Sequence, residues 1–254
     1  MSEKVTYELR DAVAWLTINR PEARNALDHE VREGITEGVR RFNAEEGAKV
    51  LVLTGAGDKA FCAGGDLKEM ADTSLKVPPL DFLPQFNRTI EVEKPTIAAV
   101  NGVAYAGGFL LVQNCDLCVA ADTARFGITE AKVGRGAPWA APLPWLVPPR
   151  IAMEMLLTGD SIDAARAYEL GLVNKVVPAS ELVETTQQLA ESIAANAPLS
   201  VLAAKKTVRL IAEYPLNQAY AEAEKIWEPV YLSQDAQEGP AAFRDKRTPR
   251  WSGR

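Results

Sequence analysis

Apolar residues recur along this chain in two rhythms: short runs that suit strands, and wider spacings that suit one face of a helix. Residues 5–9 and 13–18 alternate or run apolar around a charged turn at Arg10-Asp11, which predicts a hairpin. Asp28 then stands as an N-cap ahead of Val31, Ile35, Val39 and Phe42, whose spacings put them on one helical face. Residues 50–53, 96–100 and 117–120 are short apolar runs that predict strands. Beyond residue 180 the spans 182–195, 199–212 and 216–232 carry long helical periods and predict a helical layer, packed on the core or on a partner subunit. Strand, glycine turn and helix repeat in that order, which favours an α/β fold over a sandwich or a bundle.

Two glycine pairs stand where the rhythm changes, Gly64-Gly65 and Gly107-Gly108, each closing an apolar strand-like run. Glycine lets a ligand approach main-chain N–H groups with no Cβ in the way, and a helix start leaves such groups unpaired. Two donors converging on one carbonyl oxygen would hold an enolate or a tetrahedral oxyanion. Two segments have no clean period. Residues 71–88, with Pro78, Pro79 and Pro84, predict a mobile or partly helical lid over a site; residues 134–149, with five prolines, Trp139 and Trp145, predict a stiff aromatic-lined loop or a structural turn.

Composition narrows the class. At 254 residues and 47% hydrophobic, the chain can bury a substantial core. Its 28 Lys+Arg against 34 Asp+Glu argue against a nucleic-acid partner. No uncharged apolar run is long enough for a membrane span and the N-terminus has no apolar leader, so the chain reads as soluble and cytoplasmic. Three cysteines, Cys62, Cys115 and Cys118, argue against a disulfide framework. Cys115 and Cys118 have C-x-x-C spacing but no second pair, and the one histidine, His29, reads as a surface residue, so no metal site is expected. Gly55-x-Gly57 lacks the third glycine of a dinucleotide fingerprint, which leaves NAD binding without support.

Arg20-Pro-Glu-Ala-Arg-Asn-Ala-Leu27, Ala60-Phe-Cys-Ala-Gly-Gly-Asp-Leu-Lys-Glu-Met70 and Lys94-Pro-Thr-Ile-Ala-Ala-Val-Asn-Gly-Val-Ala-Tyr-Ala-Gly-Gly108, with Cys115-Asp116, resemble the enoyl-CoA hydratase/isomerase (crotonase) family. Later segments, among them Arg125-Phe-Gly-Ile-Thr-Glu-Ala-Lys-Val-Gly134 and residues 235–247, keep the family's order, so the resemblance spans nearly the whole chain. It implies an α/β spiral of ββα units over residues 1–195 and a C-terminal helical region over 196–254 that builds homotrimers or hexamers. It also implies an acyl-CoA substrate and no separate cofactor. The oxyanion donors map by resemblance to the N–H groups of Gly65 and Gly107. Arg24, Ala63, Asp66, Leu67 and Lys68 map to the substrate, with Arg24 and Lys68, and Lys246 or Arg247 in the tail, near its phosphates. Leu110, Trp139, Met70 and the 71–88 segment would line the acyl slot.

The carboxylates carry the main departure. Hydration of an enoyl thioester usually employs two glutamates that share one water. The second aligns with Glu130; the first belongs three residues beyond Gly107, where this chain has Leu110. Asp66 and Asp116 look structural in the family pattern, and Asp122 reads as a surface turn. The expectation is an enzyme on an unsaturated acyl-CoA, hydratase or isomerase, with Glu130 as its single proton carrier. Double-bond isomerisation, or hydration and cleavage of aryl-substituted acyl-CoAs without ordinary hydratase activity, also fits one glutamate. From a different class, a non-catalytic acyl-CoA-binding protein fits Leu110 as well.

Overall fold

The structure, a computed structural model, describes residues 3–254; the first two residues of the expected 1–195 core lie outside them. Strands β1 (Val5–Arg10) and β2 (Val13–Ile18) form the expected antiparallel hairpin. Helix α1 (His29–Ala44) starts at Asp28, whose side chain accepts from the Val31 N–H. Its buried face includes Val31, Ile35, Val39 and Phe42, the four residues of the apolar spacing.

From there the chain winds through repeated turns, each giving one strand to a large sheet and one to a small sheet. The first turn is β3 (Val50–Gly55), β4 (Ala60–Cys62) and helix α2 (Leu67–Asp72). The second is β5 (Thr96–Val100), β6 (Val103–Tyr105) and helix α3 (Gly107–Asn114). The third is β7 (Leu117–Ala121), β8 (Arg125–Gly127) and a 3-10 turn, Thr129–Val133. Later come α4 (Leu143–Leu146), α5 (Pro149–Thr158), β9 (Ile162–Asp163), α6 (Ala164–Glu169) and β10 (Lys175–Val177). The large sheet runs β1-β2-β3-β5-β7-β10 and the small one β4-β6-β8-β9; β1 and β9 are antiparallel to their neighbours, and the other pairs are parallel.

A parallel sheet needs cover on both faces. In β3, Leu51 and Leu53 enter the main core with α1, while Val50 and Val52 pack with Ile97 and Val119 under helix α7 (Leu182–Ala194). Helices α8 (Pro198–Glu213), α9 (Leu216–Tyr231) and α10 (Asp235–Arg244) complete the chain. Lys205 and Arg209 of α8 reach back to Asp116 at 2.8 and 3.2 Å and fasten the helical region to the core just past the end of α3. No helix among the described residues is long and apolar enough to cross a membrane.

One expectation is corrected. The 134–149 segment is not a plain loop: it holds a 3-10 turn, Pro138–Ala140, the short α4 and the start of α5, because its prolines fall at N-caps and in first turns, where a missing N–H costs nothing. Helix α3 begins at Gly107, so a glycine of the second pair is its first residue.

Candidate active site

Each of three successive turns of the spiral delivers one site group from the same place, the carboxyl end of a small-sheet strand. β4 leads to Gly64-Gly65, β6 to Gly107, and β8 to Glu130. Because β4, β6 and β8 are parallel neighbours, these ends lie side by side, where ligands bind in open α/β sheets. Residues far apart in sequence become adjacent through strand register.

Gly64 has φ +99°, a conformation that L side chains rarely adopt, and a Cβ there would stand 2.7 Å from the Ala106 Cβ and 3.3 Å from the Gly107 nitrogen. The two glycine turns therefore face each other. Leu27 braces the first: its N–H donates to the Gly64 carbonyl at 2.8 Å, and its own carbonyl accepts from the Asp66 N–H at 3.3 Å. That bridge leaves the Gly65 N–H unused, and the Gly107 N–H, first in its helix, has no acceptor among the described residues either.

What aims the second donor is a strained residue. Ala106, the N-cap of α3, sits at φ 52° and ψ −124° with no side-chain cap, and its N–H is held by the Gly127 carbonyl at 2.9 Å. Gly108 lets the helix close on β4: a Cβ at this position would collide with the Cys62 carbonyl. Cys62 itself is inert, since complete burial pushes its thiol up to about 12.

The first turn is held by charge. Asp66 caps α2 by accepting from the Lys68 and Glu69 N–H groups, and Arg20 donates to its other oxygen at 2.6 Å. Arg20 and those N–H bonds hold the Asp66 carboxyl below its usual range against a smaller opposing effect of burial. The structure thus occupies Asp66 with the scaffold of the turn. Ala63 is tied to the Arg24 carbonyl at 3.0 Å, and Leu67 and Lys68 are exposed on α2. Arg24, exposed and left-handed at φ 52°, lines a 270 Å³ cleft with Lys59, Asn25 and Gly57.

Glu130 is buried, and its Oε2 has no hydrogen-bond partner. Burial raises its carboxyl above the ordinary glutamate value; its own backbone N–H and the nearby Trp139 side chain pull the other way and do not cancel the rise. Leu110 and Trp139 are buried in the same apolar cluster as Ile128. Met70 of α2 and Leu83 of the 71–88 segment meet the positions where Cβ atoms on Gly65 and Gly107 would point. A buried carboxyl with a free oxygen is suited to take and return a proton.

Other candidates fall elsewhere. The Tyr105 hydroxyl turns to Ser161 at 3.4 Å, Asp116 is bound to Thr96 and α8, Asp122 is exposed, and Arg247 is held in a two-point pair by Glu238. His29 is an exposed residue in the first turn of α1, as expected. Two residues of the site were not anticipated. Nothing in an alanine announces the backbone of Ala106, and the role of Arg20 depends on a contact across 46 residues.

The chain and its fold match known proteins. A family profile described as Enoyl-CoA hydratase/isomerase matches residues 8–254. The (E)-benzylidenesuccinyl-CoA hydratase of Thauera aromatica is 40% identical over 98% of this chain and 99% of its own length. The carnitinyl-CoA dehydratase of Proteus mirabilis is 36% identical over all of both chains. Among solved structures, an enoyl-CoA hydratase from Mycobacterium tuberculosis H37Rv superposes with a TM-score of 0.90 at 40% identity, covering both chains completely.

Proposed function

This chain belongs to the enoyl-CoA hydratase/isomerase (crotonase) family and has its α/β spiral fold, and from that premise we propose that it adds water to, or removes it from, an unsaturated acyl-CoA thioester with Glu130 as its only acid–base group. The observation that carries this reading is the placement of one buried carboxyl with a free oxygen, Glu130, one strand away from the paired Gly65 and Gly107 amides. The thioester oxygen accepts from both amides. Glu130 as carboxylate takes a proton from water while the oxygen attacks C3, and the electron pair of the double bond moves onto the thioester oxygen as an enolate. The enolate is the species that two fixed N–H donors favour over the ground state. Glu130, now protonated, delivers its proton to C2, and the carboxylate returns. One water has been added, and one carboxyl has served both ends of the transfer.

Named relatives support hydro-lyase chemistry, since two of them are a hydratase and a dehydratase. The Arg24 and Lys59 cleft would receive phosphates of coenzyme A, and no cofactor beyond the substrate is required. Leu110 favours a second reading, double-bond isomerisation, in which one base lifts an α-proton and returns it to the γ-carbon. Purified protein incubated with crotonyl-CoA and with a 3-enoyl-CoA, beside Glu130→Gln, decides between them. Conversion of crotonyl-CoA that vanishes in the variant supports hydration, and conversion of only the 3-enoyl thioester supports isomerisation. Turnover unchanged by the substitution would sink both, and tight binding of every thioester without conversion would make this an acyl-CoA-binding protein.

Self-association completes the proposal. Helices α8 and α9 bury little in this chain: Val208, Leu216 and Tyr220 are exposed, as are Leu232 and Phe243 beyond them. Apolar faces of this kind are covered in oligomers, and a trimer or a dimer of trimers is the assembly we propose, to be measured as mass in solution by light scattering.

A further inference from the structure

One cation at the rim of the site has no anion. Arg135 is half-buried, follows the Glu130 turn directly, and donates its backbone N–H to the Glu130 carbonyl at 3.0 Å. Its side chain reaches across to the covering segment, where Nη1 donates to the Leu75 carbonyl at 2.8 Å. Leu75 in turn donates its N–H to Met70, the residue packed against Gly65. The guanidinium therefore spans from the proton-carrying side of the site to the oxyanion side.

Three other cations near the site are paired. Arg20 holds Asp66, Arg32 holds Glu69 and Lys132 holds Asp160, each at 2.6 Å. Arg135 has no carboxylate within 4.0 Å among the described residues, Glu130 included, and one carbonyl occupies only one of its five N–H donors. A half-buried guanidinium is costly to leave without a counter-charge, and its planar fork fits a carboxylate in two-point geometry. Leu110, where a carboxylate was expected, and Trp139 are buried in the apolar cluster that also holds Ile128, the residue two before Glu130.

We propose that Arg135 binds a second carboxylate on the acyl group, so that the substrates of this site are unsaturated acyl-CoA thioesters with a free carboxylate at the far end of the acyl chain. The inference rests on the reading that the Gly65 and Gly107 amides hold the thioester and Glu130 moves the proton. Arg135 would then set specificity.

Crotonyl-CoA and its 4-carboxy derivative, glutaconyl-CoA, differ by this one group. The expected result is a kcat/KM roughly ten- to hundredfold higher for glutaconyl-CoA, lost in Arg135→Met and partly kept in Arg135→Lys, with crotonyl-CoA little affected. Equal wild-type rates, or a Met variant that slows both thioesters alike, would overturn the proposal and leave Arg135 as a tie to the covering segment. Calorimetry with the saturated thioesters glutaryl-CoA and butyryl-CoA separates this inference from the proposed chemistry. A glutaryl preference that disappears in Arg135→Met upholds it even where neither unsaturated thioester turns over, and equal affinities refute it. Free coenzyme A should bind wild type and Met variant equally; weaker binding to the variant would assign Arg135 to a phosphate and overturn the proposal.

Discussion

The two walls of the site are built on opposite plans. The oxyanion wall is held several times over: Gly64 and Gly107 face each other, Leu27 bridges the first turn, Asp66 and Arg20 lock α2, and the Gly127 carbonyl holds strained Ala106. The proton wall is one buried carboxyl, Glu130, with a free oxygen and the Trp139 side chain near it. Main-chain donors need a fixed backbone and no particular side chain, so packing and caps can secure them. A proton carrier needs a titrating atom, and burial that tunes it also strips away its alternatives.

The comparison breaks most sharply at Glu130. Replacing it with Gln keeps the shape and removes the only proton carrier of the proposed reaction, so kcat should fall by roughly 10²–10⁴ while thioester binding stays near wild type. Pre-steady-state hydration assays with calorimetry read both, and a parallel loss of binding would contradict the division between walls. Gly108→Ala attacks the other wall without touching substrate. Its Cβ would meet the Cys62 carbonyl, forcing α3 away from β4 and the Gly107 N–H away from Gly65; kcat should fall by about 10–10² and unfolding free energy by ~1–3 kcal/mol. Wild-type kcat in a destabilised variant would show that the donors tolerate displacement.

Leu110→Glu asks whether the proton wall can be rebuilt. A second carboxyl at this buried position should raise crotonyl-CoA hydration by about tenfold and lower stability by ~1–3 kcal/mol. Loss of activity instead would show that Leu110 is required by the acyl group.

The smallest effect is a difference in sign. Arg20 lowers the Asp66 carboxyl, so its contribution to stability is present at neutral pH and is lost as pH falls through its folded value. Burial raises Glu130, so stability is fullest below its unfolded value and declines as pH rises through the folded one. Thermal melts of Glu130→Gln should accordingly exceed wild type at neutral and higher pH and converge with it in acid. A constant offset across pH would mean that Glu130 does not titrate differently on folding.

Much of this was visible in one dimension, and what was missed has a common cause. The hairpin, α1 with its Asp28 cap, β3, β5 and β7 of the large sheet and the long C-terminal helices all follow from local patterning, because each buries a face large enough to leave its mark in the sequence, whereas the three-residue β10 at the sheet edge does not. The small sheet does not. β4, β6 and β8 have three residues each, too few for a period, and the first two read as continuations toward the glycine pairs. Those three strands set the site, since their parallel register brings residues 64, 107 and 130 together.

Sequence by itself determined the parts: two glycine pairs able to offer N–H groups, one glutamate in the right family position, and Leu110 in place of its partner. Tertiary structure alone decided how they act. It turned Gly64 toward Gly107, gave Ala106 its left-handed backbone, committed Asp66 to a cap, buried Glu130 with a free oxygen, and stretched Arg135 across the rim without an anion. The physical reason is that residue type fixes which hydrogen bonds and charges are available, while burial and the approach of distant backbone fix which of them remain unspent.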